Sequence, residues 1–140
     1  MEEISMAETR PLRRAILRPH ETPEALKGHE PPQAHAVGAF DAGRLVAVGF
    51  IAPDGEPGGW RIRGMATAPE TRGKGAGTAV LEALIAHALA HGATRIWCNA
   101  RTPALRLYER AGFSVVSEEF DIPHIGPHFR MERAARRAQA

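Results

Sequence analysis

Residues 60–99 read WRIRGMATAPETRGKGAGTAVLEALIAHALAHGATRIWCN, and three periodicities succeed one another within them. From Trp60 to Thr67 the chain alternates, with Trp60, Ile62 and Gly64 on one side and Arg61, Arg63 and Met65 on the other, the two-residue period of a strand. From about Gly75 to His91 the residues Val80, Leu81, Leu84, Ile85, Ala88 and Leu89 return at helical spacing, and Gly92 stands where helices commonly stop. Thr94 to Asn99 is a compact strand. Strand, long helix and strand in that order require a crossover, so the two strands should lie parallel in one sheet.

Working outward from this unit, residues 34–40 and 44–51 are apolar runs rich in Val, Ile and Phe. They are joined by Asp41-Ala42-Gly43, which predicts an antiparallel hairpin. Residues 12–18 read as a first strand, and residues 19–33, with four prolines, as a loop holding one helical turn near residues 24–27. Downstream, residues 104–111 form a short helix closed by Gly112. Residues 113–118 form a strand, and a last strand surrounds residues 128–132 after a proline-rich turn. The fold class is α/β, with a central mixed β-sheet and flanking helices. Residues 1–10 and 133–140 read as loosely ordered tails.

At 140 residues and 44% hydrophobic content the chain suits one domain with a real core. Its 18 Lys and Arg against 16 Asp and Glu leave a formal charge of only +2, so a polybasic, nucleic-acid-binding surface is not expected. The first ten residues carry three glutamates and lack the plan of a signal peptide, and no apolar run approaches a membrane span. With a lone Cys98 that cannot form an internal disulfide, cytoplasmic residence is the expectation, with no membrane partner.

The chemistry concentrates in Arg72-Gly73-Lys74-Gly75-Ala76-Gly77, between the strand and the long helix. Unpaired N–H groups and the positive end of the helix dipole meet there, glycines let backbone approach phosphate oxygens, and Arg72 and Lys74 add charge. A Walker A loop would need Ser or Thr where Gly75 stands, and a dinucleotide fingerprint would need glycine where Thr78 stands.

On these residues the chain resembles the GNAT superfamily of acyl-CoA-dependent N-acyltransferases, whose signature is Gln/Arg-x-x-Gly-x-Gly/Ala. Arg72, Gly75 and Gly77 fall on its three defined positions. The likeness extends upstream through Gly64-Met65-Ala66-Thr67-Ala68-Pro69-Glu70, and downstream through Ala104-Leu105-Arg106-Leu107-Tyr108-Glu109-Arg110-Ala111-Gly112-Phe113. It spans roughly residues 12–132 and implies an N-acetyltransferase domain over residues 11–133, between tails at 1–10 and 134–140.

The resemblance implies acetyl-CoA as co-substrate and a primary amine, on a small molecule or a protein, as acceptor. It implies that backbone groups of Met65, Ala66 and Thr67 pair with the pantetheine arm and that Arg72, Gly73, Lys74, Gly75, Ala76 and Gly77 hold the pyrophosphate. The strands at Thr67 and Ile96 should splay to admit the thioester. Tyr108 matches the family tyrosine that contacts the cofactor and protonates the departing thiolate, although the same ring would also serve as a packed core aromatic. One departure stands seven residues earlier, where many members have an asparagine and this chain has Arg101. Asn99 is nearby but out of register. A second reading keeps the fold as a catalytically weak CoA-binding or protein-interaction module.

No motif names the base. His128 is the first candidate, because it stands at the start of the last strand and histidine changes charge near neutral pH. Glu118, Glu119 and Asp121 are alternatives as base or as ligands of a cationic substrate. His87 and His91 have the i, i+4 spacing of a metal pair but no accompanying ligands, so no metal is expected, and Cys98 reads as a packed thiol. Residues 19–33 are shorter than the helical pair common at this place in the family. That suggests an open acceptor side, which a second copy in a homodimer could complete.

Overall fold

The computed structural model of the chain describes residues 1–134. The hairpin is formed by β2 (His35–Asp41) and β3 (Arg44–Pro53), closed by the pair Asp41↔Arg44. Ala42 and Gly43 both take positive φ, 51° and 79°, as a two-residue hairpin turn requires. β4 (Gly59–Thr67) runs antiparallel to β3, and α3 (Ala76–Ala90) then carries the chain over to β5 (Arg95–Arg101), parallel to β4.

β8 (Gly126–Ala134) lies antiparallel on the far edge of β5, and pairs in turn with β6 (Ser114–Val115) and β7 (Phe120–Ile122). With β1 (Glu2–Ile4) beside β2, the described residues build one eight-stranded mixed sheet in the order β1-β2-β3-β4-β5-β8-β6, with β7 also on β8. The mixed sheet and its parallel crossover match the reading from sequence.

α3 is preceded by Gly75 (φ 86°) at its N-cap and followed by Gly92 (φ 84°), two positions where the left-handed backbone favours glycine. Between them Val80, Leu81, Leu84 and Ala88 are wholly buried on one sheet face, against Ile62, Ile96, Cys98 and Met131. Burying each leucine-sized side chain there stabilises the fold by about 1.5–3 kcal/mol. The short helix α4 (Leu105–Arg110) joins the same cluster through Tyr108, which packs edge-on to Phe113.

The N-terminal segment departs from the expected strand and loose tail. Of the expected strand 12–18, residues 12–17 are helical: α1 (Met6–Leu12) continues into a π-helical turn at Arg13–Leu17, and Arg18 caps it. Pro11, inside α1, supplies no N–H, and the wider turn follows directly after it. Nor are residues 1–10 a loose tail, since β1 pairs with Ala36–Gly38 and Ser5 and Glu8 cap α1 reciprocally. Glu8 N–H donates to Ser5 Oγ at 3.2 Å and Ser5 N–H to Glu8 Oε1 at 2.8 Å.

The buried side of this helical stretch is polar, Thr9 and Arg13, which is why no apolar period announced it. Arg13 donates to Glu30 at 2.6 Å and to the Leu26 carbonyl at 3.3 Å, and its guanidinium lies 4.9 Å from the Phe50 ring centroid.

The helical turn read near residues 24–27 is α2 (Pro23–Gly28), so α1 and α2 supply the helical pair that the sequence reading judged missing. The strand read at 113–118 is reduced to Ser114–Val115, with Val115 and Val116 exposed. The tail at 134–140 lies, apart from Ala134, outside the described residues. Among the described residues no helix is long and apolar enough to cross a membrane.

Candidate active site

Two local irregularities open the sheet. Opposite Gly49 of β3, β4 carries an extra residue: the register passes from Val48↔Ala66 to Phe50↔Arg63. Gly64 takes φ 67° at this bulge, and a Cβ there would stand 2.5 Å from the Phe50 ring. Past Arg61 no strand among the described residues pairs with β4 on its other side, because β4 and β5 are in register only over Gly59–Arg61 and Arg95–Trp97. The strands part from Ile62 and Cys98 onward. Ile96, expected at the splay, still pairs with Trp60, and the edge that opens runs from Ile62 to Thr67.

A cleft of about 1000 Å³ occupies this gap. Met65, Ala66 and Thr67 line one wall, and Arg72, Gly73, Gly75, Ala76 and Gly77 line the end where β4 passes into α3. Lys74 is exposed and does not line it.

The turn is organised by Thr71, whose N–H and Oγ1 both donate to the Ala68 carbonyl. Gly73 and Gly75 then take φ of 83° and 86°, and nothing stands within 4 Å of the Cβ position of either. Among the described residues no acceptor takes the N–H of Gly73, Gly75, Ala76, Gly77 or Thr78. Five unpaired donors at the positive end of a fifteen-residue helix form an anion cradle. Gly77 has a different reason: its Cβ would lie 3.1 Å from Thr67 Oγ1, so glycine lets the helix start close to the strand.

Tyr108 and His128 reach the same cleft from α4 and β8. Tyr108 is 6% exposed, and its hydroxyl has no partner among the described residues while remaining open to the cleft. Burial pushes its phenol far above the ordinary value, so it stays protonated.

His128 is buried, facing Arg101 across the β5–β8 ladder and stacking on Phe120. Its Nδ1 lies 2.7 Å from the Gly126 carbonyl. A carbonyl only accepts, so the proton of the neutral ring sits on Nδ1 and the Nε2 lone pair is left for other work. Burial lowers its pKa below the usual histidine value; Arg101 and Arg18 add to this, against Gly126 and Asp121.

The other candidates are not brought together with these. Glu118, Glu119 and Asp121 are exposed and outside the cleft lining, with Glu119 accepting from Thr102 Oγ1 at 2.8 Å. His87 and His91 stack at 4.1 Å beside Trp60 and His35, away from the cleft. Cys98 lies in the core under α3, where burial pushes its thiol up to about 12.

The sequence reading missed the wall contributed by the N-terminal helices, namely Arg13, Ile16, Leu17, Arg18 and His29. The chain's own helical pair therefore borders the side expected to stand open. Arg101 ties it down, donating to the carbonyls of Ile16 at 3.4 Å and Ile125 at 3.3 Å. Arg61 and Arg63 also line the cleft. Their alternation along β4 was visible, but nothing local said that their face would be the open one.

Comparison with known proteins agrees with this geometry. The model of the acetyltransferase (GNAT) family matches residues 2–113. An uncharacterized N-acetyltransferase of Bacillus subtilis (strain 168), YitI, is 35% identical over 144 residues, covering 95% of this chain and 94% of that protein. Escherichia coli ElaA superposes with a TM-score of 0.75 at 18% identity, over 93% of this chain and 92% of that one. An aminoglycoside 6'-N-acetyltransferase complexed with coenzyme A gives a TM-score of 0.76 at 15% identity, over 97% and 95% of the two chains. At such identities the two structures speak for the fold, whereas the family match and the YitI relationship span most of the chain and speak for descent. On that ground the chain belongs to the acetyltransferase (GNAT) family and is an enzyme of the N-acetyltransferase class.

Proposed function

We propose that the chain transfers an acetyl group from acetyl-CoA to a primary amine by direct attack. The observation that carries this reading is the juxtaposition of the parted β4 edge with five unpaired N–H groups at the start of α3, on one cleft with Tyr108 and His128. The unpaired edge of Met65, Ala66 and Thr67 suits the amides of a pantetheine arm, and the cradle from Arg72 to Gly77 suits a pyrophosphate, with Lys74 adding charge from outside. When bound, acetyl-CoA supplies the activated thioester.

The remaining work falls to side chains. His128, neutral and with Nε2 unprotonated, takes the proton of the attacking amine, directly or through water, as the C–N bond forms. Tyr108 donates its O–H to the sulfur as the C–S bond breaks, and burial keeps that donor loaded at every working pH. Backbone N–H groups of the Met65 strand polarise the carbonyl.

The test combines cofactor calorimetry with CoA release across a panel of amines. Gly75→Glu places a side chain and a negative charge in the cradle, at a position whose φ of 86° already disfavours it, and should abolish acetyl-CoA binding. Tyr108→Phe should lower kcat by about 10²-fold or more while acetyl-CoA affinity stays within about twofold.

For His128 the lowered pKa fixes the sign. Activity falls as pH drops through that value, and His128→Gln should lose this acid limb when both proteins are assayed with one acceptor. Acetyl-CoA binding without thiol release from any amine would turn the reading to a CoA-binding module.

A further inference from the structure

The arginines on the two sides of the cleft differ in how they are matched. In the N-terminal helical pair each cation near the cleft is matched: Arg10 and Arg13 contact Glu30 at 2.9 and 2.6 Å, and Arg18 contacts Glu21 at 2.7 Å. On β4, where the strand lines the cleft, the matching weakens and then stops: Arg61 keeps one distant carboxylate and Arg63 has none among the described residues. Arg63 is half-buried, and among the described residues no carboxylate or carbonyl accepts from it. Burial pulls its pKa down, and the positive charges of Arg61, Arg13 and Arg18 add to this against a weaker opposing pull from Asp54.

Arg61, two residues earlier on the same face, has a buried Nε without a partner, and its one carboxylate, on the exposed side chain of Asp54, stands 3.7 Å away. Its guanidinium lies 4.7 Å from the Trp97 ring centroid. Arg101 is held by two carbonyls and no carboxylate. The cleft is lined by seven arginines and, among the described residues, by no Asp or Glu.

A folded chain that neutralises Arg10, Arg13 and Arg18 yet leaves Arg63 half-buried without a counter-charge, and Arg61 with only the exposed Asp54 at 3.7 Å, retains an unfavourable charge in the cleft until an anion arrives. That anion is not the pyrophosphate, whose cradle lies beyond the other end of β4. Arg63 and Thr67 are four residues apart along a strand rising about 3.3 Å per residue, with the turn further on. A polyamine or any other multiply cationic acceptor meets like charge with nothing to offset it.

We infer that the acceptor is a small amine that also carries a carboxylate or a phosphate monoester, bound through that anionic group by Arg63 and Arg61. The inference rests on the acetyl-transfer reading for the fate of the amine, but the binding of the anion is independent of turnover. Small size follows from the cleft, about 1000 Å³ to be shared with an acyl-CoA and walled by the helical pair.

The test uses paired amines with and without the anionic group: γ-aminobutyrate against its near-isosteric amide, and phosphoethanolamine against ethanolamine, with spermidine as the polycation. Two readouts are taken on the whole protein. One is CoA release with acetyl-CoA; the other is binding to the CoA-loaded protein by calorimetry, which needs no turnover. At least one anionic member should exceed its neutral partner by about tenfold or more in kcat/KM or in affinity, the scale of one charge-assisted contact.

Raised salt should shrink that preference. Arg63→Gln should bring it close to unity with acetyl-CoA affinity unchanged, and Arg63→Lys should restore part of it. Equal handling of both members of each pair, a preference for spermidine, or a loss of acetyl-CoA affinity in Arg63→Gln would overturn the assignment. If no amine turns over, the acetyl-transfer reading fails alone and the calorimetry decides this one.

Discussion

The face of the sheet under α3 is closed by Val80, Leu81, Leu84 and Ala88, wholly apolar and wholly buried, while the opposite face under α1 is closed by Thr9, Arg13 and Glu30 around Phe50 and Leu26. One side is held by area removed from water, which tolerates small shifts. The other depends on one carboxylate accepting from two guanidiniums at 2.6–2.9 Å, where losing a partner strands a buried charge. The helical wall of the cleft is therefore the more conditional of the two, sensitive to single atoms and to pH.

The sharpest break of that contrast is Glu30→Ala, which leaves Arg13, with its side chain 4% exposed, without a counter-charge. It should cost about 4 kcal/mol in denaturant unfolding. A loss under about 1 kcal/mol would mean that α1 is held by something other than its ion pairs.

The same carboxylate sets a pH signature. The hydrogen bond from Arg10 comes first among the causes that hold Glu30 below the usual carboxylate value, with Arg13 acting in the same sense and burial opposing. A depressed pKa contributes stability that is present above the unfolded value and lost as pH falls through the folded one. Glu30→Gln should therefore flatten the acid limb of the stability profile, and an unchanged limb would remove Glu30 from it.

Next in size, Leu84→Ala on the apolar face should cost about 3 kcal/mol by cavity formation, with little dependence on pH between 4 and 7. A pH-dependent loss there would blur the comparison. Smallest is Ser5→Ala, which removes one half of the α1 capping box and should cost about 1 kcal/mol. Hydrogen exchange should locate that loss in residues 6–17, leaving α3 as protected as before.

The same contrast explains what could be read from sequence. α3, the β2–β3 hairpin and the glycine-rich turn are each written in a single local stretch, by an apolar period or by glycines where φ turns positive. α1 and the π-helical turn after it are not, because their buried positions are a threonine and an arginine, and only the partner at Glu30, seventeen residues on, makes burial of Arg13 tolerable. In the site, the turn of unpaired N–H groups was legible in one hexapeptide. The arginine wall did not, because whether Arg61 and Arg63 meet solvent or a cleft depends on α1, β5 and β8. β7 is three residues long and is defined by its pairing with β8, which leaves no period to find.

The short ladder between β4 and β5 has a mechanical meaning. Three rungs join two plates of four strands each, β1–β4 and β5–β8, with α3 packed on the first and leading by chain into the second. Such a seam resists sliding but not a small rocking of one plate against the other. Any molecule that lies along the open edge from Ile62 to Thr67 lengthens the seam and acts as a splice, making the two plates bend as one.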